Sequence, residues 1–488
     1  MYASRGGVMV VDLAHLKKVH ILGICGTLMG AFATYLKRLG VDVSGSDSHK
    51  YPPMSDVLLD ASIPVFDGYD PKNLENLRDL DLVVIGNVIR SDNPEALEAK
   101  RKGYYITSLP EVMENLFLKQ TRNLVVAGTH GKTTTSSLLA YVLKQCHEDP
   151  HYFVGGVCYD LPFSFHVSDL APGKPFVLEG DEYDTSFWDK VPKFNHYLPD
   201  DVVLTSVEFD HADIYADFAA VVAAFEGLVS RIRSEGSLIA YWDDPCVQKI
   251  AMKSQVPVFS YGIKSGQFLA KNIQFIEKIQ QTQFEIWDHQ KKVDVICFNL
   301  VGTHNVLNAL SVWILCQNRK VNLTLMHEAF SSFRGVKRRQ EIKAEAGGIL
   351  VIDDFAHHPT AVRETLKALR FRYPQRRLIA VFEPRSATSR RKVFQKEYLR
   401  CFQEADRVFV ANPYDQSRIE EEDHFSSELL VQDLSSSVPA SLLVSEKKDR
   451  VSQILEKCIS GDVIVIFSNG SFDGLIPAIL ECLISPQS

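Results

Sequence analysis

Apolar residues along this chain fall mostly in short unbroken runs, each stopped by a glycine or by a cluster of acids and amides. Leu124 to Val126 stops at Gly128, Phe176 to Leu178 at Glu179, Val202 to Val207 at Glu208, and "GILVI" at Asp353. Continuous runs of this length suit strands buried on both faces of a parallel sheet. Between them lie longer amphipathic stretches such as "GAFATYLKRLG" and "SSLLAYVLKQC", which suit crossover helices. Strand and helix in alternation, joined by right-handed crossovers, predict an α/β protein built from several doubly wound sheets.

The pattern divides in three. The first region opens with "KVHILGICG", a helix closed by Gly40, and "VDVSGSD", a Rossmann-like start whose Gly23, Gly26 and Gly30 do not form G-x-G-x-x-G. It ends near residue 119. The second, 120–337, begins with "LVVAGTHGKTTT" and closes through residues 235–300, which alternate apolar and polar positions without sharper signals. The third, 338–488, resumes the alternation through "RLIAVFEPRSATS", "RVFVANPYD" and "DVIVIFSNGSFDGL" as a second parallel sheet. At 488 residues, about three domains are also what length suggests.

The chemistry gathers where runs end. "GTHGKTTT", Gly128 to Thr135, follows an apolar run and opens a helix, the arrangement of a phosphate loop shortened by one glycine, with Val126 where the full motif has Gly. Lys132 would neutralise phosphate oxygens and Thr133 would reach Mg²⁺. The acids after the next runs, Glu179, Asp181, Glu182 and Asp184, then Glu208, Asp210, His211 and Asp213, would stand beside that loop, where carboxylates hold a divalent cation. Asn305 and Asn308 share one face at a helix start, a place for reading a base edge or for capping. In the first region Asp47, Asn87, Ser91 and Asn93 end strands as polar ligand candidates, although Asn93-Pro94 is also a helix-start signal.

Composition narrows the partners. A net charge of -8 argues against nucleic acid and anionic membranes, and no apolar run approaches a membrane span. Nine scattered cysteines without CxxC pairs fit a reducing, cytoplasmic setting. An NAD(P) oxidoreductase is disfavoured by the broken glycine pattern, and a non-catalytic nucleotide switch by the added acids and the third domain.

Taken in order, "GTHGKTTT", "EGDEYD", "EFDHADIY", "GTHNVLNA", "KRRQE" and "DDFAHHP" resemble the ATP-dependent Mur ligases of peptidoglycan synthesis. "HILGICGTLMG", "GSDSHKYPPMS" and "SNGSFDG" are similar to the members that join UDP-N-acetylmuramate to L-alanyl-γ-D-glutamyl-meso-diaminopimelate in murein recycling; members that add L-alanine to the same sugar nucleotide are the alternative. The resemblance implies a UDP-N-acetylmuramate domain, a central ATP domain and a C-terminal peptide domain, with ATP and Mg²⁺ as cofactors. It implies ATP contacts from Gly128, Thr129, His130, Gly131, Lys132, Thr133, Thr134, Asn305, Asn308, Arg339 and Asp354, and metal contacts from Thr133, Glu179 and His211. Catalysis would fall to Lys132, Glu179 and His211, the sugar nucleotide to Gly26, Thr27, Ser46, Asp47 and Asn93, and the peptide to Arg385, Ser386 and Thr388. His211, His357 and His358 are candidates for deprotonating the amine. Several relatives carry a carbamylated lysine downstream of the metal histidine; "ADFAAVVAAFEGLVSR" has no lysine, so none is expected here.

Overall fold

The computed structural model describes residues 13–50, 52, 54–75, 77–210, 214–417 and 419–484, together with the short strands Ser4–Arg5 and Val8–Met9. Three further sheets carry the fold. The first is wholly parallel, in the order Val65–Asp67, Asp42–Asp47, Lys18–Leu22, Leu82–Ile85, Ile106–Ser108. Chain order reverses between Lys18–Leu22 and Leu82–Ile85, so the crevice of this sheet opens at Gly23 and Gly86, where those two strands end.

The central sheet has ten strands. Its phosphate-loop strand, Arg122–Ala127, lies between Pro175–Gly180 and Asp201–Leu204, in register Glu179 with Val126 and Leu204 with Ala127. The residues following all three strands therefore share one edge. Parallel pairing runs from His151–Phe153 out to Phe268–Ile276, but both margins are antiparallel: Phe165–His166 at one end, Gln281–Asp288 and Lys291–Phe298 at the other. These last strands show the alternating burial of a sheet with one solvated face. The third sheet corrects the expectation of a purely parallel array, because Glu341–Ala346 pairs antiparallel with Ile349–Asp354 through a short Gly347-Gly348 turn. The remaining strands, Val463–Phe467, Leu378–Phe382, Arg407–Val410 and Ala440–Leu442, are parallel and mostly buried.

The joints between layers differ in kind. The first sheet's helix Thr27–Arg38 packs on the central sheet through an aromatic cluster: Phe165 meets Tyr35 at 4.6 Å, Phe153 at 5.0 Å and Phe117 at 5.8 Å between ring centroids. Arg38 seals it, donating to the Phe165 carbonyl at 2.9 Å and stacking on Phe163. One apolar core runs through both layers. The central and third layers meet through hydrogen bonds as well as spaced ring pairs: Thr388 Oγ1 donates to Asp210 at 2.7 Å, Thr360 Oγ1 to Glu208 at 2.7 Å and Tyr159 to Glu341 at 2.6 Å, while Phe209 faces Phe394 at 6.5 Å and Phe275 faces Phe371 at 6.4 Å.

Asn93 shows how local chemistry settled an ambiguity. Its side chain accepts from the amides of Glu95 and Ala96, capping the helix Pro94–Arg101. The helix-start signal is borne out. Asn93→Ala should cost about 1 kcal/mol of stability, as melting would register.

Candidate active site

Three glycine-started helices open on a single cavity of about 1360 Å³: Thr27–Arg38 after Gly26, Lys132–Gln145 after Gly131, and Thr303–Asn318 after Gly302. None of the three has a side-chain cap, whereas Pro94–Arg101, Phe218–Ser230 and Pro245–Ala251 do. A side-chain cap would compete for first-turn amides; glycine leaves them facing the cavity, where they and the helix dipole attract anions. At Gly131 the backbone is left-handed, φ 83°, and a Cβ would sit 2.7 Å from Asn308 Oδ1. That fit holds the phosphate loop against the helix carrying the asparagines. Asn305 donates to the Val301 carbonyl at 2.8 Å, and its Oδ1 accepts from Asn308 at 3.3 Å.

Lys132 is tucked into its own loop. Its Nζ donates to the Gly128 carbonyl at 2.7 Å and pairs with Glu182 at 2.7 Å. Burial opposes its charge, but Glu182, Asp181 and Glu179 prevail and hold its pKa above the ordinary lysine value. Glu179 Oε1 accepts from Thr133 Oγ1 at 2.9 Å, and Oε2 from the Gly155 amide at 2.6 Å. Burial nevertheless lifts its pKa above the usual carboxylate value. Hydroxyl and carboxylate oxygens at this separation fit a hard cation, since donors at ~2.1 Å in an octahedron lie about 3 Å apart.

The Gly155-Gly156 pair went unread in the sequence. A Cβ on Gly155 would fall 2.5 Å from Glu179 Oε1, and one on Gly156 2.6 Å from Thr133 Cγ2. Both glycines are needed for this hydroxyl–carboxylate pair to close. Glu182 was visible only as one acid among several; its pairing with Lys132 depends on the loop's path.

From the third layer, Arg339, Asp354, His357 and His358 reach the same cavity. Asp354 accepts from the Gln340 and Ala356 amides, both at 2.8 Å; burial raises its pKa, although Arg339 pulls the other way. Burial lowers the pKa of Arg339. Ser386 and Thr388 line the cavity too, but Thr388 is engaged with Asp210, and Arg385 lies apart, stacked on Tyr414 at 3.7 Å. Of the sugar-nucleotide candidates, Gly26 and Thr27 line the cavity together with Asn87, whereas Ser46, Asp47 and Asn93 do not. Asp47 instead accepts from the Cys25 and His49 amides, bracing the glycine turn, and Ser46 is fully buried. The reason is topological: Asp47 ends the strand next to the crevice rather than one that forms it. His211 lies outside the described residues.

Two histidines, one buried and one lining the cavity, give the fold a pH signature. Burial pushes His151 and His304 down to about 4. Below the unfolded value of ~6.5 the unfolded chain takes up protons that the fold refuses, so stability is complete above that pH and declines toward 4. Melting should be flat from pH 8 to 7 and fall below 6.5, each histidine contributing on the order of 2 kcal/mol; His151→Phe should make the decline shallower.

Family models match the chain in three consecutive stretches: "Mur ligase family, catalytic domain" over residues 18–121, "Mur ligase middle domain" over 126–316, and "Mur ligase, glutamate ligase domain" over 338–470. The chain is 35% identical over 474 residues to the UDP-N-acetylmuramate–L-alanyl-γ-D-glutamyl-meso-2,6-diaminoheptandioate ligase of Haemophilus influenzae, covering 96% of this chain and 99% of that one. It belongs to the Mur ligase family. Another Mur ligase, the UDP-N-acetylmuramate–L-alanine ligase of Clostridium botulinum, is 34% identical over 400 residues, covering 82% of this chain and 83% of that one. Among solved structures, the murein peptide ligase of Psychrobacter arcticus superposes with a TM-score of 0.71 at 30% identity, over 97% of this chain and 100% of that one. The family fold accounts for three α/β layers around one cavity.

Proposed function

We propose that this Mur ligase joins UDP-N-acetylmuramate to L-alanyl-γ-D-glutamyl-meso-diaminopimelate at the expense of ATP, in the recycling of peptidoglycan fragments. The observation that carries the reading is the extent of likeness: the tripeptide-adding relative is matched from end to end, the alanine-adding one over 82% of this chain. Residues 1–119 would bind the sugar nucleotide, 120–337 ATP, and 338–488 the peptide, the last closing over ATP.

The lactyl carboxylate of the sugar nucleotide attacks the γ-phosphorus, ADP leaves, and the acyl phosphate is taken by the peptide's amine, which loses a proton as phosphate departs. Such phosphoryl transfer needs positioning and charge neutralisation above all. Lys132 and the uncapped amides of the phosphate loop grip the phosphates, Asn305 and Asn308 the adenine, Asp354 the ribose, and Arg339 the γ-phosphate. Thr133 and Glu179 would hold Mg²⁺, with His211 serving a second ion. Bound Mg²⁺ supplies charge neutralisation at the transferred phosphoryl group. Gly26 and Thr27 would face the sugar nucleotide's diphosphate across the cavity. The third layer, which has its own apolar core, suits a part that swings in on binding, while the core shared with the central layer holds the first layer still.

Phosphate release with Mg²⁺, ATP and UDP-N-acetylmuramate decides between the two amines. We expect turnover with the tripeptide and kcat/KM at least ~100-fold lower with L-alanine, because a truncated substrate forfeits binding used in the transition state. Equal or better turnover with L-alanine would place the chain with the alanine-adding ligases.

A further inference from the structure

Among the described residues, one trio of His, Cys, Asp or Glu donors converges tightly: His130, Glu208 and His358 each offer a ligand atom, all within 4.8 Å of one another. We propose that this trio is a site for a borderline-soft transition-metal ion of the Zn²⁺ class, separate from the Mg²⁺ that serves ATP.

The distances decide it. His130 Nε2 and His358 Nδ1 stand 3.5 and 3.6 Å from Glu208 Oε2. Both are longer than the ~2.7–3.2 Å of a well-formed N–H···O hydrogen bond. They are close to the ~3.3–3.4 Å that separates two donors each ~2.0–2.1 Å from a tetrahedral ion. His130 Nε2 is buried and has no hydrogen-bond partner, although it points at a carboxylate.

The surroundings hold the donors as a metal site requires. His358 Nδ1 accepts weakly from the Thr360 amide at 3.3 Å, so its proton sits on Nε2, which donates to the Phe209 carbonyl at 3.3 Å. A ring nitrogen tied to a backbone carbonyl is the usual arrangement of a ligating histidine, and an ion would take the single Nδ1 lone pair in place of its long contact with the Thr360 amide. Glu208 is anchored by its amide, which donates to Thr129 Oγ1 at 2.8 Å, and by Thr360 Oγ1 at 2.7 Å. His130 is pinned by its own amide, donating to Ser206 Oγ at 3.1 Å. Two imidazoles and one carboxylate favour Zn²⁺ and its neighbours over Mg²⁺, which takes oxygen ligands and keeps its water. Thr133 and Glu179, all oxygen, have the opposite preference.

The ligands come from two layers: His130 from the phosphate loop and Glu208 from a strand exit of the central one, His358 from a helix start of the third. An ion bound there would bolt the third layer onto the phosphate loop.

Equilibrium dialysis of the full chain in metal-depleted buffer with excess Mg²⁺ and no nucleotide should give one Zn²⁺ per chain. Co²⁺ in its place should give the visible absorption of a four-coordinate nitrogen–oxygen site. His358→Asn keeps a helix-capping side chain but removes the imidazole, and should weaken Zn²⁺ at least ~10-fold; Glu208→Gln, which keeps the contact with Thr360, should do likewise, with melting curves confirming that both fold. Zn²⁺ binding unchanged in both variants, no binding by the native chain, or full displacement by Mg²⁺ would overturn the proposal.

Discussion

Lys132→Ala should remove ATP-dependent phosphate release by a factor of at least ~10³ and lower stability at the same time. The activity loss follows from the role proposed for the ammonium, since removing one preorganised charge-stabilising group typically costs about 10²–10³ or more in rate. The stability loss follows from what surrounds it. A lysine waiting in solvent for phosphate could be cut back without harm to the fold, and the motif alone suggests as much. In the structure, however, Lys132 is largely buried and paired with Glu182 at 2.7 Å, with Asp181 and Glu179 nearby. Truncation takes this cation from Glu182, while Asp181 keeps Lys193 at 2.6 Å, and breaking a buried pair costs about 3 kcal/mol. Denaturant unfolding alongside phosphate release tests both halves. Lys132→Ala with unchanged stability would mean that Glu182 finds another partner; retained turnover would remove Lys132 from the site.

What was legible in the sequence, and what was not, divides along physical lines. Strands buried on both faces announce themselves, because every position must be apolar: Leu124 to Val126, Val202 to Leu204 and Val463 to Phe467 are all in sheets and buried. The antiparallel margins were less visible, since a half-solvated strand such as Gln281–Asp288 looks like any alternating stretch until its partner is known. Strand order was not legible at all. Asp47 ends a strand just as Gly86 follows one, and only the order places Asn87 at the crevice and Asp47 beside it. The phosphate loop could be read because its chemistry is contiguous; Glu182, Gly155 and the His130–Glu208–His358 trio could not, because each depends on segments brought together from far along the chain. Asn93 was ambiguous for another reason: the same residue type at the same position serves equally as ligand and as cap, and the two amides that reached it first were its own helix's.

Glu179→Gln should behave in the opposite sense to Lys132→Ala on stability and in the same sense on activity. The glutamine is nearly the same size, so the contact with the Gly155 amide and the packing against that glycine can persist. What disappears is a buried negative charge. Burial holds the pKa of Glu179 above its unfolded value, even with Lys132 and the Gly155 amide working against the shift. An acid with a raised folded-state pKa binds its proton more tightly in the fold than in the unfolded chain. Its ionisation therefore weakens the fold, fully above the folded-state pKa, and the penalty fades as pH drops through that raised value and is gone below the unfolded one. The neutral variant escapes the penalty at about pH 7 and should melt higher than the native chain, with the difference shrinking as pH falls toward about 4.5 and gone below it. The same substitution removes the one carboxylate proposed to share Mg²⁺ with Thr133, and turnover should fall by about 10³ without recovery at high Mg²⁺. A charge retained at a cost to the fold is what a functional site looks like when binding, rather than packing, has set its residues. Lower melting with native-like turnover would make Glu179 a structural acid and move the proposed metal contact elsewhere on the edge shared by the three central strands.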